Sequence, residues 1–169
     1  PHGEGRTRKI KIDEIVSSGK CMGLMMLKNT LKTSELEVLQ NLDEKETLIL
    51  GNASFDKVWE FLTTFKKLTL FLEKAGNIFE IDIRIGPGKE GMGYFNLFEK
   101  GCLNGHLVKD SISHIAFLKL PFMHLTSYQV VFLGKDGNSI FSLYLGRENH
   151  QHDESEIEQF MSFILNNKD

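Results

Sequence analysis

Residues 68–85 read LTLFLEKAGNIFEIDIRI, and the spacing of their apolar side chains decides the class of fold. Before this stretch the apolar residues recur at helical spacing, whereas within it they alternate with polar ones. The alternate apolar positions of its second half are Phe79, Ile81, Ile83 and Ile85. A period of two is typical of a strand with one buried face. The stretch therefore predicts two strands, 68–74 and 78–85, around an Ala-Gly-Asn turn.

Five further short strands are predicted after this pair, at residues 94–98, 106–108, 113–120, 127–133 and 139–145. The last two flank Asp136-Gly137, and an Asp-Gly pair between apolar runs is a strong signal for a β-hairpin. Strands joined by hairpins pair antiparallel, because the chain reverses direction between them. The sequence therefore predicts a broad antiparallel sheet.

Helices are predicted on both sides of the strands in the sequence. Ser34 and Glu37 form a capping box that begins a helix in the first third, and Ser155 and Glu158 form one that begins a last helix. A helix at 54–66 has an apolar stripe made of Phe55, Val58, Trp59, Leu62 and Phe65. Helices, then strands, then a helix indicate an α+β fold. We expect the helices on one face of the sheet, which leaves the other face for a ligand cleft or a dimer contact.

The chain has 169 residues and a net charge of −3, which fits one compact unit without a basic surface. Residues 1–9 are predicted to form a flexible arm, 10–50 a small helical region and 51–169 the α+β domain. Two short helices within 21–39 resemble a helix-turn-helix, but residues 1–50 carry 8 Lys and Arg against 8 Asp and Glu. DNA recognition needs a positive surface, so packing is favoured and no nucleic-acid partner is expected. Because no apolar run reaches 18 residues, no membrane span is expected.

The cysteines, the glycine-rich segment and most histidines show no recognisable site. Cys21 and Cys102 lie far apart and outside any metal-binding spacing, which favours a reducing compartment such as the cytoplasm. Segment 86–93 lacks the order of a phosphate-binding loop and is predicted to be a flexible hairpin loop. His114 is expected to be a hydrogen-bonded strand residue, and the His-x-His pair at 150–152 a solvated linker.

Tyrosine is scarce in this chain, with 3 Tyr against 13 Phe, so each tyrosine is a candidate for a specific role. Tyr128 and Tyr144 lie within predicted strands and are expected to pack. Tyr94 follows a glycine at the mouth of the glycine-rich loop, where its phenol can reach a cleft. His106 also follows a glycine, and a neighbouring glycine lets another molecule approach closely. The residue pattern leaves packing and binding open for both.

Six short segments occur in one order between residues 75 and 147. Their sequences are AGNIFEI (75–81), GYFNL (93–97), GHL (105–107), ISHIA (112–116), PFM (121–123) and LYLGR (143–147). In this order and spacing the chain resembles the ChuX/HutX family of intracellular haem-utilisation proteins, which are haem carriers. The resemblance covers residues 68–165, and residues 32–37 resemble the family's small N-terminal helical region more loosely.

The resemblance implies a fold similar to half of a HemS/ChuS-type haem protein, with 51–169 as the haem-utilisation domain. It also implies a cytoplasmic homodimer that binds haem, as ferric protoporphyrin IX, after uptake. Such a protein stores haem or hands it to a haem-degrading partner. The alternative is that the chain is itself a haem-degrading enzyme of the HemS/ChuS type. An anionic oxygen ligand prefers Fe(III) to the ferrous state that oxygen chemistry needs, which favours the carrier.

Several site residues follow from the resemblance. In family members with a Gly-Tyr pair the tyrosine is the axial iron ligand, and that position is Tyr94 here. His106 is the next candidate, as a second ligand or as a hydrogen-bond partner. Phe122 and Met123 would supply apolar contacts to the porphyrin. His124 stands where the family has a glycine, so it either crowds the pocket or offers another ligand.

Two further positions depart from the family pattern. Phe95 stands where some members have a second tyrosine, so no backup phenol is expected. Met92 stands where a relative has a basic residue, so either help in ionising the phenol of Tyr94 or a contact to a haem propionate is expected to be missing. No catalytic residue is predicted.

Overall fold

The hairpin predicted from residues 68–85 is present in the computed structural model of this chain, which describes residues 2–168. Its two strands pair antiparallel, with Leu68 opposite Ile83. The first of them also pairs with the strand Ser139–Leu145, so the hairpin forms one edge of a larger sheet. The change of apolar spacing at Leu68 therefore marks the start of a strand, as predicted.

The described residues form nine strands in two antiparallel sheets. The strands are β1 (Thr47–Gly51), β2 (Leu68–Lys74), β3 (Asn77–Ile83), β4 (Gly88–Gly91), β5 (Tyr94–Leu97), β6 (Gly105–Leu107), β7 (Ile112–Phe122), β8 (Leu125–Gly134) and β9 (Ser139–Leu145). The larger sheet has the order β1-β7-β8-β9-β2-β3, and the smaller one has the order β4-β5-β6. The antiparallel class and all seven predicted strands are confirmed, and β1 and β4 are additional.

Five α-helices flank the larger sheet in the described part of the chain. They are α1 (His2–Ser17), α2 (Leu24–Leu31), α3 (Glu35–Leu39), α4 (Phe55–Leu62) and α5 (Glu154–Asn166). The stripe predicted for α4 is buried at all five positions. Helices α4 and α5 pack in one hydrophobic core, and α1, α2 and α3 pack in a second. The helices therefore cover both faces of the sheet, and the expectation that they lie on one face was wrong.

The central strands β7 and β8 are buried on both faces. Along β7, Ile115 and Phe117 belong to the core that includes α4 and α5. The intervening Ala116 and Leu118 belong to the core that includes α1, α2 and α3. A strand that is covered on both sides can be apolar at every position instead of alternating. This explains why β7 is a nearly continuous apolar run.

The N-terminal segment differs from the predicted flexible arm over 1–9. All but its first residue belong to α1, and residue 1 lies outside the described residues. Arg8 forms an ion pair with Glu37, and Ile12 is buried in the second core, so α1 is attached at two points. Strand β1 begins inside the predicted helical region, ends one residue beyond it, and pairs with β7. The larger sheet therefore crosses the domain boundary that was predicted after residue 50.

One of the two predicted helix caps is confirmed. Ser34 is the N-cap of α3, and its Oγ accepts a hydrogen bond from the backbone N of Glu37 at 3.2 Å. The second prediction was wrong, because Asp153 caps α5 and its Oδ1 accepts from the backbone N of Ser155 at 2.8 Å. Aspartate is as effective an N-cap as serine, so the helix begins earlier, at Glu154.

Strand β3 is an exposed edge of the larger sheet, which its alternating pattern did not reveal. Phe79 is 53% exposed and Ile81 is 50% exposed, although they form the apolar face of the strand. The core that includes α4 and α5 reaches only as far as Leu70 and Ile83 on this side. An apolar face on an edge strand is a surface that another molecule can cover.

Aromatic packing attaches the smaller sheet to α4. The ring of Phe95 on β5 makes edge-to-face contacts with Phe55 and Trp59, at centroid distances of 5.1 and 5.5 Å. The indole Nε1 of Trp59 donates a hydrogen bond to the carbonyl oxygen of Gly86 at 3.0 Å. A Cβ atom at Gly88 would lie 2.1 Å from Cζ of Phe95. Only glycine fits at this position, because the ring of Phe95 occupies the space that a Cβ atom would need.

Gly88→Ala is expected to lower the free energy of unfolding by about 1–3 kcal/mol, the usual cost of overpacking a core. The added methyl group must displace the Phe95 ring from α4. Chemical denaturation followed by the fluorescence of Trp59 measures the change, since this is the only tryptophan. Gly91→Ala is the matched control, because its Cβ would meet nothing closer than Asn96 Nδ2 at 3.5 Å. Equal loss of stability in both variants would contradict this account.

Candidate functional site

A tight turn between β4 and β5 places Tyr94 at the first position of β5. Met92 and Gly93 form the turn, with φ angles of 53° and 85°, and Gly91 pairs with Tyr94 across it. Positive φ at both positions matches a type I′ turn, whose twist suits a two-residue hairpin. Segment 86–93, predicted to be a flexible loop, therefore contains a strand and a tight turn. Tyr94 follows an ordered turn rather than an open loop.

One face of the smaller sheet carries a phenol and an imidazole side by side. Alternate residues of β5 point into the core, and the residues between them point outward. We call this outward surface the Tyr94 face. It consists of Tyr94 and Asn96 on β5, Phe98 just after β5, and His106 opposite Asn96 on β6. Tyr94 is 47% exposed and Phe98 is 66% exposed. The ring centroid of His106 lies 5.7 Å from that of Tyr94 and 5.9 Å from that of Phe98.

Asn96 is the most hydrogen-bonded side chain of the Tyr94 face. Its Nδ2 donates to the carbonyl oxygens of Lys89, Gly91 and Tyr94, at 3.0, 3.1 and 3.3 Å. Its Oδ1 lies 2.6 Å from Nδ1 of His106, which is directly opposite on β6. The sequence analysis did not single out Asn96. The period of two along β5 was the signal that placed it on the same face as Tyr94.

A lysine ties the smaller sheet to α4 from the side opposite the Tyr94 face. Lys109 Nζ lies 2.6 Å from a carboxylate oxygen of Asp56 and 2.8 Å from one of Glu90. It also lies 5.1 and 5.2 Å from the ring centroids of Phe55 and Phe95. Burial lowers the pKa of Lys109, but the hydrogen bonds to both carboxylates raise it more, so the pKa is higher than usual. The ion pairs of Lys109 thus hold the smaller sheet, which carries the Tyr94 face, against α4.

The predicted site residues fall into two separate groups. Tyr94 and His106 lie together on the smaller sheet, which leads into the start of β7. Phe122, Met123 and His124 lie at the turn that ends β7, where Met123 N donates to the carbonyl oxygen of Cys21. At about 3.3 Å per residue, the eleven residues of β7 separate its two ends by about 33 Å. The second group thus lies at the far end of β7 from the segment that follows His106.

A cavity of about 930 Å³ lies on the other side of the larger sheet, next to α2. Tyr144 lines it, and burial raises the pKa of Tyr144 to about 12, with the carboxylates of Glu35 and Glu80 adding to the shift. Glu73 and Asp82 line the cavity as well. A phenolate is disfavoured there, because the side chain is buried among carboxylates.

His152 is integrated into the fold, in contrast to the solvated linker predicted for 150–152. Its Nε2 accepts a hydrogen bond from Arg147 Nε at 3.1 Å, and its ring packs edge-to-face on Tyr128 at 5.1 Å. His114 is a hydrogen-bonded strand residue, as predicted, with Nδ1 3.0 Å from Ser113 Oγ. Among the side chains that the structure describes, no three His, Cys, Asp or Glu are grouped to hold a metal ion.

The fold is that of ChuX and of half of ChuS. A crystal structure of ChuX superposes with a TM-score of 0.83 and 25% identity over 92% of this chain and 96% of that one. The heme degrading enzyme ChuS of Escherichia coli O157:H7 superposes with a TM-score of 0.70 and 15% identity. That match covers 89% of this chain but 47% of ChuS, so this fold corresponds to half of ChuS. The predicted fold class is confirmed.

The sequence comparisons assign the family. The family model for haem utilisation ChuX/HutX matches residues 48–163, and the chain belongs to this family. The intracellular heme transport protein HutX of Vibrio cholerae serotype O1 is 32% identical over 119 residues. That match covers 70% of this chain and 62% of HutX, so the chain spans less than two thirds of the length of this curated relative. None of the helices within residues 2–168 has the length and hydropathy to span a bilayer.

Proposed function

We propose that this chain binds haem after its uptake into the cell and carries it to an acceptor, with Tyr94 as the axial ligand of ferric iron. The observation that carries the proposal is the exposed phenol of Tyr94 beside the imidazole of His106, on an outward face of the smaller sheet. The membership of the ChuX/HutX family and the name of the Vibrio cholerae relative support haem as the molecule that is bound.

The Tyr94 face suits the two chemical parts of haem. A porphyrin is a flat apolar ring, and Met92, Phe98 and Val108 around Tyr94 are exposed to 100%, 66% and 46%. Iron needs a donor atom, and the phenol oxygen of Tyr94 is an anionic donor once it has lost its proton. Apolar residues exposed together around a polar group are typical of a ligand site rather than of ordinary surface.

A phenolate ligand also suits the task of carrying haem. When bound, haem supplies an iron ion whose positive charge offsets the cost of deprotonating a phenol. Tyr94 then holds ferric iron more strongly than ferrous iron, because an anionic oxygen donor is a hard ligand. Reduction of the iron would weaken the bond to Tyr94. We propose that a haem-degrading enzyme is the acceptor and the cytoplasm the compartment.

The cavity lined by Tyr144 is the rival location for haem. Its volume is large, but its five carboxylates, on Glu35, Glu73, Glu80, Asp82 and Asp136, outnumber its cationic side chains Lys28 and Arg147, and the propionates of haem are also anionic. Like charges in a partly buried site repel, and the raised pKa of Tyr144 opposes phenolate formation. The Tyr94 face is therefore the better candidate.

A homodimer is part of the proposal. Leu72, Phe79 and Ile81 form an exposed apolar surface on one face of the β2-β3 hairpin, and a second copy of the chain would cover it. Phe122 and Met123 follow at the far end of β7, and Phe122 lines the cavity beside Tyr144 rather than the Tyr94 face. We propose that a second copy brings these residues, and the neighbouring His124, to the porphyrin.

Tyr94→Phe is expected to weaken hemin binding by more than tenfold and to abolish the tyrosinate–iron charge-transfer band. Loss of even an outer-shell partner costs about 10- to 100-fold in metal affinity, and this variant removes the ligand itself. Absorbance titration with hemin measures both effects. Tyr144→Phe is the matched control and should leave both unchanged. Retained binding in Tyr94→Phe, or loss of binding in Tyr144→Phe, would place haem elsewhere.

We expect haem bound to this chain to remain intact under conditions in which a haem-degrading enzyme would cleave it. The hemin complex is incubated with a reductant in air and with catalase present, and the products are extracted and analysed by absorbance. We expect no bilin, because phenolate ligation disfavours the ferrous state that oxygen activation requires. Production of bilin at a rate above that of free hemin would instead favour the haem-degrading enzyme.

Ile81→Lys is expected to convert a dimer into a monomer. A lysine in the centre of an apolar interface must lose its hydration, at a cost of several kcal/mol. Sedimentation equilibrium measures the mass of each form. Glu80→Lys is the control on the same strand, because Glu80 points to the opposite face, toward the cavity. A wild-type chain that sediments as a monomer would refute the dimer.

A further inference from the structure

The cavity lined by Tyr144 contains a buried amide that has no partner. Gln129 lines this cavity and is 2% exposed. Its side chain forms no hydrogen bond in the part of the chain that the structure describes. Among the described residues, no side-chain nitrogen or oxygen atom sealed from solvent lacks a partner, so this amide opens onto the cavity. Burial of an unbonded amide costs free energy, which a ligand with a polar group would recover.

Gln129 begins a row of side chains that crosses the larger sheet on the side of the cavity. It lies opposite Tyr144 on β9, and Tyr144 lies opposite Thr69 on β2. Thr69 lies opposite Asp82 on β3, and all four residues line the cavity. Because neighbouring strands lie about 4.8 Å apart, the row from β8 to β3 is about 14 Å long. An elongated ligand can therefore lie across the strands.

The cavity changes in character along this row. Its β8 end is buried at Gln129, whereas Glu80 and Asp82 at its β3 end are exposed. Between the two ends, the rings of Phe71 and Tyr144 make an edge-to-face contact at a centroid distance of 5.9 Å. The cavity thus has a closed polar end, an aromatic middle and an open acidic mouth.

The two cationic side chains of the cavity are already engaged. Lys28 Nζ lies 4.0 Å from Glu35 Oε1. Arg147 donates hydrogen bonds to His152 Nε2 at 3.1 Å and to a backbone carbonyl oxygen at 2.5 Å. These cations therefore do not neutralise the acidic mouth on β3.

Glu80 is a carboxylate of the mouth that has no partner. Asp82 accepts a hydrogen bond from Thr69 Oγ1 at 3.1 Å and lies 3.8 Å from Lys67 Nζ. The carboxylate of Glu80, by contrast, forms no ion pair and no hydrogen bond within the described residues. Clefts lined by charge of one sign attract ligands of the opposite sign. The mouth therefore favours a cation.

We propose that this cavity binds a linear polyamine, with one ammonium group at Glu80 and Asp82 and another N–H group donating to Oε1 of Gln129. The methylene chain between them would pack on the rings of Phe71 and Tyr144, and an ammonium group near these rings gains cation–π attraction. The site is separate from the Tyr94 face, so this inference does not rest on the proposed function.

Calorimetric titration of the full chain without haem tests the site with spermidine as the probe. We expect saturable binding of one spermidine per chain. Diaminopropane has the same terminal groups but is too short to reach both ends, so we expect it to bind at least tenfold more weakly. Octanediol is long enough but uncharged and is expected not to bind. Absence of saturable spermidine binding, or equal affinity for diaminopropane, would overturn the proposal.

Glu80→Gln tests the acidic mouth. We expect it to weaken spermidine binding by about tenfold, the effect of one charge-assisted hydrogen bond. Glu60→Gln is the matched control, because Glu60 is exposed on α4, which packs in the core on the other face of the sheet. It removes the same charge and should leave the affinity unchanged. Equal weakening in both variants would attribute binding to net charge and overturn the site.

Gln129→Leu tests the buried end and separates binding from a structural role. We expect it to weaken spermidine binding about tenfold while keeping or raising the free energy of unfolding. The leucine would replace an unbonded buried amide and lie opposite Leu118, which belongs to the second core. Unchanged affinity would overturn the role of the amide. A less stable variant would show that Gln129 is bonded within the fold, and would overturn it as well.

The haem proposal and this inference fail independently. Tyr94→Phe should bind spermidine like the wild-type chain, and saturating spermidine should leave hemin affinity unchanged. If hemin displaces spermidine, the cavity is the haem site and this inference is wrong. If Tyr94→Phe loses hemin and spermidine does not bind the wild-type chain, only this inference is wrong. If Tyr94→Phe binds hemin normally while spermidine binds as expected, only the proposed haem ligand is wrong.

Discussion

Burial of β7 and β8 on both faces is the constraint on which the rest of this structure depends. These strands pair along ten residue positions, and each face of the pair lies in its own hydrophobic core. One core includes α4 and α5, and the other includes the three N-terminal helices. Because both faces of these strands are buried, the helices on one face are held in position relative to those on the other through the sheet between them. The smaller sheet is attached to one of these cores only.

The site depends on that attachment through Phe95. Its ring packs on Phe55 and Trp59 and occupies the space over Gly88, so the inward face of β5 is determined. With a period of two, the residues before and after Phe95 must then point outward. Outward exposure of Tyr94 and Asn96 is thus a consequence of core packing beneath them, and the Phe that replaces a second tyrosine has a structural role.

The candidate site could be predicted in part. Tyr94 and His106 were each singled out by a neighbouring glycine and by the family resemblance, and the structure places them 5.7 Å apart. Asn96 was missed, because its hydrogen bond to His106 can be recognised only when the register of β5 and β6 is known. Motifs alone could not show how far Phe122 lies from Tyr94, because that distance depends on the length and path of β7. The exposed face of β3 was also misjudged, because alternation shows that a strand has an apolar face but not what covers it.

The sequence by itself determined the class of fold, the order of most strands and the family, because periodicity, turn residues and ordered motifs are local properties of a chain. Only the tertiary structure decided which side chains meet. The hydrogen bond between Asn96 and His106 and the ion pairs of Lys109 with Asp56 and Glu90 all join residues on different elements. These contacts follow from the sheet register and from burial on the opposite face, and neither is a property of any single segment.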